Sequence, residues 1–189
     1  MRLSRARDSA LARPAAAHII RPILSEGEFE LQQFVRGLSP ASRHARFMRA
    51  MRELPEETLD RFVHPAPGRE AALVATSPVS GIVGLAHYVA DETGDGCEVA
   101  LVVTDAWQRQ GLGTELLNAV VNVASEDSIR YFHADVLADN YAMRALARKV
   151  GCDVNINSEA SLCGADFQDY QITGPYDWCR DLPVTRSAA

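Results

Sequence analysis

Lysine is almost missing from this chain: of its 19 basic residues, every one except Lys149 is an arginine. Positive charge is also in the minority, 19 basic against 25 acidic residues, for a formal net charge of −6. That balance argues against a dedicated nucleic-acid binder, whose basic residues would cluster on one face. No apolar run approaches the roughly 20 residues that span a bilayer, so no membrane partner is expected. The four cysteines, at 97, 152, 163 and 179, form no C-x-x-C pair, which excludes a zinc knuckle or a dithiol redox motif. The five histidines, at 18, 44, 64, 87 and 133, show no HxxxH or HExxH spacing, and no metal is expected. The opening "MRLSRARDSALARPAAA" lacks the apolar centre of a signal peptide. The cysteines are therefore expected as free thiols in a cytoplasmic protein.

What is present is an ordinary globular composition, 47% apolar and 23% charged over 189 residues, enough for one domain with a real core. Residues 1–17 read as a flexible arm, 18–173 as the folded domain and 174–189 as a tail of no clear period. A β-branched run from His18 to Leu24 predicts the first strand. "SEGEFELQQFVRGL" places Phe29, Leu31, Phe34, Val35 and Leu38 at roughly helical spacing. A second helix starts with Ser39 as N-cap and Pro40 at its first position, and a third is opened by Pro55. Strands follow over Glu70–Thr76, Gly81–Ala90 and "CEVALVV". Gly111–Ala124 is a predicted helix with Leu112, Leu116, Leu117, Val120 and Val121 on one stripe. "YFHADVL" is a strand, and "NYAMRALARKV" a helix with Met143, Leu146, Ala147 and Val150 in phase, closed by Gly151. Two short strands are expected around "CDVNINS" and "DFQDYQIT". Antiparallel strands followed by β-α steps make a mixed α/β fold and exclude a doubly wound parallel sheet.

The chemistry concentrates in "EVALVVTDAWQRQGLGTELL". A helix N-terminus offers unpaired N–H groups and a partial positive charge, both suited to a phosphate. Gly111 and Gly113 remove Cβ atoms where a diphosphate would approach the main chain, Arg109 adds a fork-shaped cationic donor, and Thr114 a hydroxyl. A plain strand-to-helix turn explains the glycines equally well. The P-loop pattern is excluded, because no Lys follows Gly113, and the dinucleotide fingerprint lacks its third glycine.

Gln108-Arg109-Gln110-Gly111-Leu112-Gly113 resembles the Q/R-x-x-G-x-G/A signature of the GNAT N-acetyltransferases. "LADNYAMRALARKVGC" resembles that family's second motif, with Asn140, Leu146, Lys149 and Gly151 in place and Cys152 where Phe is usual. "FVRGLSPASRHARFMRAM", "IVGLAHYVA" and "CEVALVVTDAWQRQGLG" are similar to the acetyltransferase domain of bacterial Pat-type protein lysine acetyltransferases. The resemblance implies the GNAT fold, a central mixed, mostly antiparallel sheet flanked by helices. It implies acetyl-CoA as co-substrate, its diphosphate on residues 108–114. It also implies main-chain contacts from Leu101, Val102 and Val103 to the pantetheine arm, and a further contact from Asn140, which reads equally well as a helix N-cap. The resemblance further implies a primary amine as acceptor, a protein lysine or a small molecule, and a homodimer is allowed for.

Glu98 stands where the resemblance puts a general base, and burial between strands would raise its pKa toward working pH. The alternative for Glu98 is a surface carboxylate at a strand edge. Arg43, Arg46 and Tyr88 are the candidate substrate residues, against a solvated basic face and a packed core tyrosine. Where many relatives carry a Tyr as general acid this chain has Ala147, and Tyr141 is out of helical phase with it. Cys97 and Cys152 lack an adjacent His to activate them as acyl carriers, so direct attack is expected. The scarcity of lysine fits codon bias, or avoidance of exposed amines beside reactive acyl groups.

Overall fold

The computed structural model describes residues 17–150 and the backbone of the strands 153–157 and 162–166. The expected arm (up to residue 16), the tail, Gly151 and Cys152 lie outside the described residues.

Seven strands form one sheet in the order β1-β2-β3-β4-β5-β7-β6. They are β1 (Ile19–Pro22), β2 (Glu70–Ser77), β3 (Gly81–Ala90), β4 (Gly96–Val103), β5 (Tyr131–Leu137), β6 (Asp153–Asn157) and β7 (Leu162–Asp166). Only the β4–β5 pairing is parallel. The helices are α1 (Glu28–Gly37), α2 (Pro40–Phe47), α3 (Glu56–Val63), α4 (Leu112–Glu126) and α5 (Tyr141–Lys149). The predicted order of elements is therefore the observed one, with a 3₁₀ turn, Asp105–Trp107, added before α4.

The last described strand begins before the expected stretch. It is "LCGAD"; of the expected "DFQDYQIT" it includes Asp166, and residues 167–173 lie outside the described residues. Leu162–Asp166 is paired on both sides, with β5 and with β6. Central pairing of that kind overrides the weak strand preference of Gly and Ala, which sequence pattern alone cannot foresee.

Alternation along the strands builds two cores. On one face, Leu73, Val83, Val99 and Val103 meet the buried stripe of α4, including Leu116, Leu117 and Val120. On the other, Val74, Leu85 and Val102 meet Leu31, Phe34 and Val35 of α1 and Phe62 of α3. Truncating a residue such as Leu31 or Leu116, both fully buried, would cost about 2–5 kcal/mol. Phe29 does not join its stripe; it is 68% exposed at the start of α1.

Local signals explain the helix ends. Ser39 Oγ accepts from the Ser42 N–H at 3.1 Å, with Pro40 beside it, as the sequence predicted. Arg43 Nη1 donates to the carbonyls of Val35, Leu38 and Arg36, occupying the C-terminal carbonyls of α1.

Candidate active site

Two features of β4 define the site. Its pairing with β3 runs unbroken from Cys97 to Val103, but its pairing with β5 covers only Gly96, Cys97 and Glu98. Beyond Glu98 the two strands part, leaving a gap on that edge of β4. The Thr104 N–H donates to Val83 O at 2.9 Å, which fixes the alternation of the ladder. Val102 then turns its amide groups toward β3, whereas Leu101 and Val103 turn theirs toward the gap. The main chain of Val102, expected from the sequence to face the cofactor, is used by the sheet. The Val103 carbonyl is also taken, by Gln108 Nε2 at 3.0 Å, so Leu101 N–H and C=O and Val103 N–H are what the gap receives.

Past the end of β4 the chain enters the glycine loop. Gln108 does structural work there: its Nε2 also reaches Asp105 Oδ1 and Ser42 Oγ, both at 3.1 Å. Ser42 Oγ donates to Asp105 Oδ1 at 2.5 Å. Hydrogen bonds from Ser42 and then Ser39 hold the Asp105 carboxyl below its ordinary range. Gln110 Nε2 is used similarly, on Ala106 O at 2.7 Å. These bonds fix the loop to the N-terminus of α2.

The loop's amides are left open. The first α4 bonds are Thr114 N–H and Glu115 N–H to Gly111 O, so the N–H groups from Arg109 through Gly113 have no acceptor among the described residues. Arg109 (φ 59°) and Gly111 (φ 96°) both adopt left-handed backbone, curving the amides into a concave anion cradle. The Arg109 guanidinium is exposed and makes no hydrogen bond or ion pair among the described residues. A Cβ on Gly113 would meet only Leu146 Cδ2 at 3.6 Å and Leu101 Cδ1 at 4.0 Å, ordinary contacts. Neither conformation nor packing requires glycine there. His18 Nε2 shares a 2.7 Å hydrogen bond with Glu115 Oε2, occupying a carboxylate in the first turn of α4. Lys149 Nζ approaches Thr114 Oγ1 at 3.5 Å, bringing the chain's one lysine to the same turn. Asn140 caps α5 through Met143 N–H at 3.0 Å, so its cap reading is realised.

Glu98 lies on the sheet face covered by α1, α2 and α3, since its register partner is Val89, two residues along from His87 and four from Leu85. The expected burial is not found: Glu98 is exposed. Arg46, from α2, projects over this region and interacts electrostatically with Glu98. Burial pulls the Arg46 guanidinium down to about 10, with Glu98 opposing, so it stays charged at neutral pH. His87 is pushed down to about 3 by burial first and then by Arg46 and Arg61, and is neutral. On the other side of Glu98, His133 is its register partner in β5, with Nε2 at 3.8 Å from Asp91 Oδ1. Sequence reasoning did not single out His87 or His133. Only strand register brings them beside Glu98, and no local motif records that.

Two candidate substrate residues are engaged within the fold. Tyr88 is fully buried on the opposite face, in the α4 core, with its hydroxyl donating to Asp127. Alternation puts it there: its neighbours His87 and Val89 take the Glu98 face. Arg43 is spent on capping α1. Arg46 alone of the three reaches the Glu98 side. Ala147 is fully buried against the α4 core, leaving no space for a phenol at that position. Tyr141 is 73% exposed under the Arg144 guanidinium. Cys97 is buried on the α4 side, and burial, then Asp91 and Glu98, push its thiol up to about 12. No cluster of potential metal ligands occurs among the described residues.

The acetyltransferase (GNAT) domain family matches residues 16–153. The chain belongs to the GNAT acetyltransferase family. This acetyltransferase is 32% identical over 136 residues to acetyltransferase PA5475 of Pseudomonas aeruginosa, spanning 70% of this chain and 73% of that protein. It is also similar to the GNAT domain of S. lividans PAT. The TM-score is 0.73 at 28% identity, over 78% of this chain and 88% of that one. The likeness to Pat-type domains expected from "LSPASRHARF" is thereby found. The yncA protein of Salmonella typhimurium, solved with its cofactor acetyl-CoA, has a TM-score of 0.65 over 84% of this chain and 98% of its own. At 17% identity that likeness is one of fold. Among the described residues, no helix is long and apolar enough to cross a membrane.

Proposed function

We propose that this acetyltransferase moves the acetyl group of acetyl-CoA to a primary amine, with Glu98 receiving the amine proton. The observation that carries this reading is the gap beside β4, which runs from Glu98 to the open amides of the α4 turn. The residues present fit the cofactor. The amides of 109–113 and the Arg109 guanidinium suit a diphosphate, and the bare Cα of Gly113 permits close approach. Gln108 and Gln110 serve through the loop they brace, and Thr114 and Lys149 border the same turn. Leu101 and Val103 supply main-chain groups for an amide-bearing arm lying in the gap, and an N–H there suits the thioester oxygen. Asn140 retains its amide NH₂ for the same arm.

Acetyl-CoA supplies the activated acyl group. The amine nitrogen bonds to the acyl carbon, the carbon–sulfur bond breaks, and the amine proton passes to Glu98 directly or through water. A thiol of pKa about 8.5 leaves without an acid, consistent with Ala147 in place of a tyrosine. The buried Cys97 thiol favours direct attack over a covalent acyl-enzyme. A protein lysine is the acceptor class suggested by the likeness to the S. lividans PAT domain, and a small amine is the alternative. The missing phenol also supports a second reading, an acyl-CoA sensor without turnover.

Thiol release across amines, peptides and lysine-bearing proteins tests the proposal. Glu98→Gln should lower kcat by about 100-fold while leaving acetyl-CoA affinity within about twofold. Unchanged turnover would remove Glu98 from the reaction. Saturable acetyl-CoA binding without thiol release from any acceptor would favour the sensor.

A further inference from the structure

Arg46 is a charge on the Glu98 side with no hydrogen-bond or ion-pair partner among the described residues. Its Nε is buried and bonded to nothing, and its guanidinium makes no hydrogen bond or ion pair among the described residues. It rests over the Phe47 ring at 5.0 Å and senses Glu98 across space without pairing with it. Three other arginines of the helical layer are engaged. Arg36 pairs with Glu53, and Arg61 with Glu70. Arg43 caps α1, and His87 is neutral. The Nε of this half-buried guanidinium, withdrawn from water without an acceptor, is a standing cost that a bound acceptor relieves.

The geometry points to Arg46 as the anchor for a carboxylate on the acceptor, making amines with an acid group close to the amino group the substrate class of this enzyme. A carboxylate is the planar, two-oxygen partner that the guanidinium fork matches. Glu98 does not take that place, and as a base it must stay open to the amine. An acceptor carrying only positive charge meets Glu98 favourably but Arg46 unfavourably. An acid group beside the amine turns the second contact from repulsion to attraction, which discriminates against plain polyamines. The chemistry has two sources, a free amino acid or a lysine flanked by Asp or Glu in a peptide. The inference rests on Glu98 marking the acceptor side.

The test uses the full chain and matched acceptors: amino acids against their carboxamides, and lysine peptides with Glu against Gln beside the lysine. The carboxylate member of one pair should show at least tenfold higher kcat/KM, and the better pair identifies the source. Arg46→Met should collapse that ratio toward one, and Arg46→Lys should restore part of it. A wild-type enzyme that acetylates carboxamides as well as carboxylates overturns the inference while leaving the transferase reading intact. Binding of an N-acetyl amino acid and its amide to the CoA-loaded protein, followed by calorimetry, separates the opposite case. Carboxylate preference there without turnover on any acceptor supports the Arg46 anchor and defeats the transferase reading. Equal binding of the two, or a preference unchanged in Arg46→Met, overturns the anchor, as it would if a carboxylate of the chain's own filled the place.

Discussion

Deleting the Arg109 guanidinium separates charge from shape at the proposed diphosphate position, because the loop is braced by Gln108, Gln110 and Asp105 and not by Arg109. Arg109→Ala should therefore weaken CoA binding about 10-fold, the value of one charge-assisted contact. A pantetheine lacking the diphosphate should bind the variant within roughly twofold of wild type, and equal losses for both ligands would deny the phosphate role. Cys97 offers the contrasting case, a chemically capable group disabled by its surroundings. Buried, with its thiol pushed up to about 12, it should stay unmodified by iodoacetamide in the native protein at pH 8, as read by peptide mapping. Labelling of native Cys97 would reopen the acyl-carrier route.

The first turn of α4 carries a tension between stability and binding. Gly113 lies inside the helix, where a Cβ would meet nothing closer than 3.6 Å. Gly113→Ala should accordingly stabilise the fold by about 0.5 kcal/mol, since glycine loses more freedom in a helix than alanine. The same methyl should weaken CoA binding several-fold by standing where the diphosphate approaches. Denaturant midpoints and CoA titrations on one preparation check both signs. A variant both less stable and unchanged in affinity would make Gly113 ordinary turn punctuation. Gly111 is a different case: its φ of 96° is a conformation that L side chains avoid, so its glycine is explained by backbone alone. The sequence presented the two glycines as equivalent, and their separate reasons emerge only from the loop's geometry.

Acid should unfold this protein partly through His87. Folded, its imidazole titrates near 3; unfolded, near 6.5. Between those values the unfolded chain binds the additional proton, so stability is full above about pH 6.5 and falls as pH drops toward 3. His87→Gln should flatten that decline, seen as a smaller loss in urea midpoint between pH 7 and pH 4.5. Equal losses would show that His87 does not set acid sensitivity. The element order, the α4 stripe, the Ser39 cap and the glycine loop were all legible in the chain, because each is specified by residues within a turn or a strand of one another. Glu98 was legible as a candidate, but its company was not. His87 and His133 come beside it through the register of β3 and β5, the property a linear pattern carries least, and Arg46 comes from α2 packed over that face. Alternation also removed Tyr88 and the main chain of Val102 from the site, since the residue on one face or edge excludes its neighbour. The linear chain thus specified a phosphate-ready turn between a strand and a helix. Folding added the parting of β4 from β5 and, on the Glu98 side, a guanidinium with no partner among the described residues, because both depend on how distant segments divide the two faces and edges of one sheet.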